Sequence, residues 1–306
     1  MRHLTTFRVI ERVAKTGSIR RAAEELAQTP SAIQRRVQAF EDELGMPIFE
    51  RLSHGVRLNA AGELVLHHIR TQFADTDRLK SRLSDLSGVR RGHVPIACSQ
   101  ALAPYFLPEE IARYRAAFPY VTFDVRVLDH GAAMQALADY AVDIALIYGV
   151  DDIPASDVVL AVEQNVAAVM APTHPLAGRG TIRLRDLLAY PLALPLKTFE
   201  GRRLLERSLA RKSLSIAPQL ESNSFEFLKA HVACTDAITV QIPIGAPAPE
   251  TEGPTVCIPI DPRDLIPGHL TLRQLKGRTL SVAAAQFADQ IARSLTARFA
   301  PTEAAG

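Results

Sequence analysis

The chain has 306 residues, is 47% hydrophobic and carries a formal net charge of +2, enough apolar material for two or three globular domains but with no uninterrupted apolar run long enough to span a membrane. Its three cysteines, Cys98, Cys234 and Cys257, are odd in number and lack C-x-x-C spacing, which disfavours a disulfide framework or a zinc module and fits a reducing compartment. The charges scattered through the N-terminal segment exclude an export signal's apolar stretch, so a cytoplasmic location is expected. Residues 1–92 hold 16 Lys/Arg against 11 Asp/Glu, the remainder 19 against 22. A basic module therefore precedes a mildly acidic one, the arrangement expected where one part of a chain meets nucleic acid.

Leu4, Phe7, Ile10 and Val13 recur at helical spacing, so a first helix is predicted to end near Thr16-Gly17. Ser18 is placed to cap a second, Ile19 to Ala27, whose Ala22-Ala23 pair permits close helix packing. Thr29-Pro30 opens a third helix reaching Phe40, since proline at the first helical position loses no hydrogen bond. At 100° per residue, Ile33, Val37 and Phe40 share one face, while Ser31, Gln34, Arg35 and Gln38 share the other. A hydroxyl, two amides and a guanidinium are the groups that make directed hydrogen bonds to base edges in a major groove.

The charged stretch Glu41 to Gly45 follows, and then Ile48 to Leu52 and Val56 to Leu58 flank Ser53-His54-Gly55 as a hairpin, a wing. Arg51, His54 and Arg57 are candidate phosphate contacts, with Arg51 equally suited to a structural ion pair. Asn59 is placed to cap a long helix from Ala60 to Ser87 with Leu66, Ile69, Phe73, Thr76, Leu79, Leu83 and Leu86 in a narrow stripe. Such a stripe predicts pairing with a second copy, which half-site recognition of DNA also requires.

The combination Ala22-Ala23-x-x-Leu26, Ser31-Ala32-Ile33, Glu41-x-Glu43-Leu44-Gly45, Pro47-x-Phe49-x-Arg51, Val56-Arg57-Leu58 and Ala61-Gly62 resembles the LysR-type transcriptional regulators. The chain departs from that pattern at Pro30, where the family often has Gln, at Gln34, often Ser, and at Asn59-Ala60, often Thr-Pro. Arg35 stands where the family usually has a basic residue. The resemblance implies a homotetramer built on linker-helix dimers, a dyad-symmetric operator in double-stranded promoter DNA, and RNA polymerase as a further partner. Neither a cofactor nor a metal is implied.

After Arg90-Arg91-Gly92, short strands alternate with helices in the manner of an α/β domain. Strands are predicted at Val94 to Cys98, Val121 to Val127, Ile144 to Tyr148, Val166 to Ala171, Leu192 to Leu194, Ala237 to Ile242 and Leu270 to Arg273. Helices are predicted at Leu107 to Phe118, Ala132 to Tyr140 and after Leu280. Gly245 to Gly253 reads as a Pro-rich loop, and Pro301 to Gly306 as a frayed end. The resemblance implies an α/β effector domain of two subdomains, type 2 periplasmic-binding-protein-like, with the chain crossing twice between them. The expected boundaries are a winged helix-turn-helix at 1–58, a linker helix at 59–90 and an effector domain at 91–306. Within the last, subdomain I comprises about 91–163 and 268–300, and subdomain II about 164–267.

Ligands of open α/β sheets sit beyond the carboxyl ends of strands, where helix N-termini offer free N–H groups. Those ends carry Ser99, Gln100, Tyr148, Thr198, Ser222 and Asn223, with Phe225 and Gln241 expected in the same cavity. Helix N-termini favour anions, which points to a small organic acid as effector. Against an enzyme stands the absence of G-x-S-x-G, H-E-x-x-H or a phosphate loop; Gly178-x-Gly180 lacks the third glycine of a dinucleotide fingerprint. His67-His68 point in different directions on a helix, unlike metal ligands spaced by three or four. Two alternatives remain. Cys234 and Cys257 would serve a thiol-based redox sensor if exposed and acidic, although their apolar neighbours favour buried thiols. A solute-binding protein would share the second half's fold but is opposed by the basic N-terminal module.

Overall fold

The computed structural model describes residues 2–86, 91–149, 156–246 and 253–299, and the chain divides into two compact units, Met1–Lys80 and Ser81–Gly306. Ser87 and Arg90 of the linker, most of the Gly245 to Gly253 loop and the C-terminal Pro301 to Gly306 lie outside the described residues.

The first unit opens with α1 (Arg2–Thr16), α2 (Ile19–Glu25) and α3 (Pro30–Leu44). Val9, Val13, Ala22, Ala23, Ile33 and Val37 form their shared core. The methyl-sized Ala22 and Ala23, at most 1% exposed, let α2 approach its neighbours closely. α2 stops two residues earlier than predicted because Ala27 adopts a left-handed conformation (φ 50°) to turn the chain into α3. α3 runs four residues past Phe40 and ends at Gly45, whose φ of 76° makes a left-handed cap. The stretch read as following the helix is therefore its last turn. It anchors the start of the wing, since Glu41 Oε1 accepts from the backbone N–H groups of Ile48 (2.7 Å) and Phe49 (3.2 Å).

The wing comprises β1 (Phe49–Leu52) and β2 (Gly55–Leu58), with Glu50 opposite Arg57. It is docked onto the α1–α2 turn, where Val56 N donates to Gly17 O at 2.9 Å. Gly55 sits at φ 135°, and a Cβ there would lie 2.2 Å from Gly17 O, so only glycine permits this contact. Asn59 caps α4 (Ala60–Leu86) through Gly62 N (2.8 Å) and donates to Pro47 O (2.8 Å). The apolar stripe of α4 is divided. Ile69, with Phe73 beside it, packs onto Ile10, Ile48, Phe7 and Phe40, whereas Leu79 and Leu83 are 57% and 56% exposed. The expectation that the whole stripe serves a second copy is corrected: its first half completes the winged module's core.

The second unit is built on a five-stranded sheet, order β4-β3-β5-β12-β6, of β3 (Gly92–Cys98), β4 (Val121–Val127), β5 (Ile144–Gly149), β6 (Ser156–Glu163) and β12 (His269–Leu275). β3 runs parallel to β4 and β5, and β12 antiparallel to β5 and β6. Central β5 is buried on both faces, as its continuous apolar sequence requires. Ile144 and Leu146 face a core shared with α5 (Phe106–Ala117) and α9 (Val282–Phe299); Ala145 and Ile147 face α6 (His130–Ala138). β6 is absent from the predicted strands. It is an edge strand whose middle residues are largely exposed, so burial gives no alternating pattern.

Residues 164–267 form a smaller α/β layer. β7 (Ala167–Met170) lies between β10 (Thr239–Gln241) and β11 (Val256–Pro259), β8 (Ala193–Pro195) pairs in parallel with β9 (Leu220–Ser222), and α7 (Glu200–Ala210) and α8 (Phe225–Ala233) pack beside them. β6 ends at Glu163 and β12 begins at His269, on either side of this layer. At the double crossing the two strands are tied: Gln164 N donates to Gly268 O at 2.8 Å. An acidic cluster locks the far side, where Asp264, 3% exposed, accepts from Arg183 (2.7 and 2.8 Å) and Leu184 N and pairs with Lys212 (2.8 Å).

Candidate functional site

Two separate surfaces carry the predicted residues. On α3, Ile33 and Val37 are buried while Ser31, Gln34, Arg35 and Gln38 are all exposed, the division the helical spacing predicts. Thr29 caps the helix by accepting from Ala32 N (3.3 Å) and meets Ser31 Oγ at 3.2 Å, fixing the start of this exposed face. Gln38 donates to Asp42 at 2.9 Å, and Arg35 Nε makes a long 3.4 Å contact to Ser31 O. Gln34 stands clear at the centre. In the wing, Arg51 and His54 are exposed, and Arg57 pairs with Glu50 at 2.9 Å across the two strands. That surface pair is worth little in water, so Arg57 is able to exchange its carboxylate for a phosphate.

In the second unit, the carboxyl ends of β3 and β5 face α7 and α8 across a cleft with a cavity of about 50 Å³. Of the eight residues expected there, Ser99, Gln100, Tyr148, Phe225 and Gln241 line it. Thr198, Ser222 and Asn223 do not, which corrects that part of the expectation. Thr198 is exposed ahead of α7, and Ser222 Oγ accepts from Ser224 N (3.1 Å) in a local turn. Asn223 instead contributes its backbone: Gln100 Nε2 donates to Asn223 O (2.7 Å) while Gln100 Oε1 accepts from Phe225 N (3.1 Å). One side-chain amide thereby clasps subdomain II from subdomain I. Ser99 Oγ accepts from Tyr148 N at 3.0 Å. Tyr148 presents its ring to the cleft, but its hydroxyl donates to Gln164 O (2.8 Å) at the crossing, where a Cβ on Gly268 would fall 1.9 Å from that hydroxyl. Burial, with Glu200 and Glu163 nearby, pushes the Tyr148 phenol up.

The sequence reading missed Asp129, His130, Phe199, Glu200 and Arg202, all of which line the same cleft. Arg202, 1% exposed, spends its guanidinium on Pro195 O (3.0 Å), Glu206 (2.8 Å) and Glu221 (3.0 Å). An Arg-Arg pair at the start of an amphipathic helix was the available signal, but nothing local shows which arginine turns inward.

The cysteines do not assemble a thiol site. Burial pushes Cys98 up to about 12 and Cys257 to about 11, away from the reactive thiolate. Cys234 is exposed at the end of α8, contrary to the buried thiol expected there, because the helix stops before it and turns it outward.

Comparison with known proteins bears on both surfaces. Residues 4–63 match the family described as bacterial regulatory helix-turn-helix protein, lysR family, and residues 87–296 match the LysR substrate binding domain. The SDS degradation transcriptional activation protein of a Pseudomonas species is 30% identical over 295 residues, 93% of this chain and 94% of the relative. Among solved structures, a full-length OxyR variant from Pseudomonas aeruginosa superposes with a TM-score of 0.68 at 18% identity, covering 96% of this chain and 94% of that one. Full-length CbnR complexed with its target DNA gives 0.63 at 17% identity, covering 95% and 99%. At these identities the structural likeness speaks for the fold.

Proposed function

As the chain belongs to the LysR family of transcriptional regulators, we propose that α3 reads operator DNA through Ser31, Gln34, Arg35 and Gln38, and that the cleft between the α/β subdomains binds the small-molecule effector controlling that reading. The observation that carries this is the paired arrangement of an exposed hydrogen-bonding helix face over a buried Ile33/Val37 anchor and an enclosed, polar-tipped cleft at the carboxyl ends of β3 and β5. Arg51, His54 and Arg57 serve phosphates, which position the wing without specifying sequence. Leu79 and Leu83, exposed on α4, form the seam with a second copy, and dimers pair into a tetramer. Effector binding then favours one arrangement of the subdomains and shifts the population of DNA-binding states. The protein works as a regulator and catalyses no reaction. No helix among the described residues is long and apolar enough to cross a membrane, in keeping with action in the cytoplasm.

The redox alternative finds less support, since Cys98 and Cys257 are held as thiols by burial. Footprinting on the DNA upstream of the chain's own gene tests the reading: a protected site with dyad symmetry is expected, and its extent should change when a cleft ligand is added. Protection indifferent to sequence would oppose it.

A further inference from the structure

The kind of ligand the effector cleft takes, a question that rests on the effector-site reading, is set by which of its polar groups are already occupied. The carboxylates and the guanidinium that line it are. Glu200, whose side chain is 4% exposed, contacts Arg203 and Arg207. Arg202 is bonded to Pro195 O, Glu206 and Glu221. Asp129 is exposed to solvent and accepts from Ala132 N at 2.8 Å. The helix starts, which alone favour an anion, are met from within the chain as well. Asp129 caps α6, Glu200 stands in the first turn of α7, and at α8 Gln100 takes the Phe225 N–H while Ser224 accepts from Phe227 N.

Two glutamines reach the cleft, and they differ. Gln100 is bonded at both ends of its amide, to Asn223 O and Phe225 N. Gln241, the last residue of β10 and 4% exposed, lines the cleft with its Nε2 buried and without a hydrogen-bond partner. The chain returns closely over it: a Cβ on Gly245 would fall 1.9 Å from that Nε2, so a glycine there holds the amide in place. A buried amide without a partner has lost its hydration and regained nothing, and a ligand that bonds to it recovers that loss. His130 and Glu200 flank Gly149, where a Cβ would lie 2.6 Å from His130 Nδ1 and 3.7 Å from Glu200 Cγ. His130 Nε2 is buried and unpartnered too, and an imidazole nitrogen takes either role in a hydrogen bond. Phe199 and Phe225, their ring centroids 5.2 Å apart, make an apolar wall with Val166 and Val240. An ion brought against such a wall loses its water and meets no opposite charge left unpaired. We propose that the effector is a small uncharged molecule whose polar end both donates and accepts, a carboxamide or an alcohol, and that this end bonds to the Gln241 amide. The cavity of about 50 Å³ has room for only a few water-sized groups. The organic-acid expectation from helix N-termini alone is thereby replaced.

Propanamide, propanoate and propanamidinium share one shape and carry no charge, a negative charge and a positive charge. Each would be titrated into the full chain by NMR, following the Gly201 backbone amide and the Gln241 side-chain amide, the latter identified by its loss in Gln241→Met. Propanamide is expected to move both signals and to bind roughly tenfold or more tightly than either ion. Gln241→Met, similar in volume and apolar, should weaken propanamide about fivefold, as for one hydrogen bond, and leave resonances outside the cleft in place. A smaller advantage over the ions in the unmodified chain, or an ion that binds more tightly while moving Gly201, would overturn the uncharged class and leave the cleft as the effector site. A propanamide affinity unchanged in Gln241→Met would overturn the proposal as well. If none of the three moves Gly201, the effector-site reading fails and this proposal with it.

Discussion

The winged module and the effector cleft solve the problem of presenting polar side chains in opposite ways. On α3 four polar residues within eight positions share one exposed face, held by Ile33 and Val37 on the other. The cleft draws on residues near 99, 129, 148, 200, 225 and 241, so its polar tips meet only after two subdomains have formed and closed. A surface built on one helix depends on that helix's anchor. A surface assembled from six segments depends on buried polar contacts between them, and those are where it should break.

The largest effect is therefore expected at Arg202, which is buried and hydrogen-bonded to three groups. Arg202→Ala leaves a cavity where a 1% exposed side chain lay and removes the donor to Pro195 O, and should destabilise the second unit by about 2–5 kcal/mol, read as a lowered calorimetric transition while the first unit's transition stays in place. A loss shared equally by both would erase the contrast. Acid comes next. Arg183 and Lys212 hold the Asp264 carboxyl well below the usual range, and Arg263 holds Asp261 at about 2. Folded values below unfolded ones give stability that is fully present above about pH 4 and lost as pH falls toward 2. The second unit's unfolding midpoint should drop through that window, and Asp264→Asn should flatten the slope. The clasp of Gln100 is smaller. Gln100→Ala removes two hydrogen bonds, about 1–2 kcal/mol, and should speed hydrogen exchange at the Phe225 amide and lower the second unit's unfolding midpoint by less than Arg202→Ala does.

The same contrast explains what was legible beforehand. The helix-turn-helix followed from periodicity, the Thr29-Pro30 start and the Ala22-Ala23 pair, all of which are local. The part of α3 beyond Phe40 was missed because Glu41 looks like surface charge until its carboxylate is seen on the Ile48 and Phe49 amides. In the cleft, Ser99, Gln100 and Tyr148 were reached by the rule that ligands lie beyond strand ends, with Phe225 and Gln241 expected beside them. Thr198 and Ser222 obey the same rule and still point elsewhere, because strand-end position does not fix direction. Glu200, His130 and Arg202 were invisible: their roles depend on Gly149, Tyr148 and Glu221, which lie far away in sequence.

That the exposed face of α3 reads sequence is the central claim, and Arg35→Ala tests it most directly. Mobility shifts would be measured for the operator and for a scrambled duplex at matched salt, since affinity without a stated salt concentration has no meaning here. The expected result is an unchanged fold, little change on scrambled DNA and a loss of about 1–3 kcal/mol of discrimination, as for one bidentate base contact. Full site preference in Arg35→Ala would contradict it.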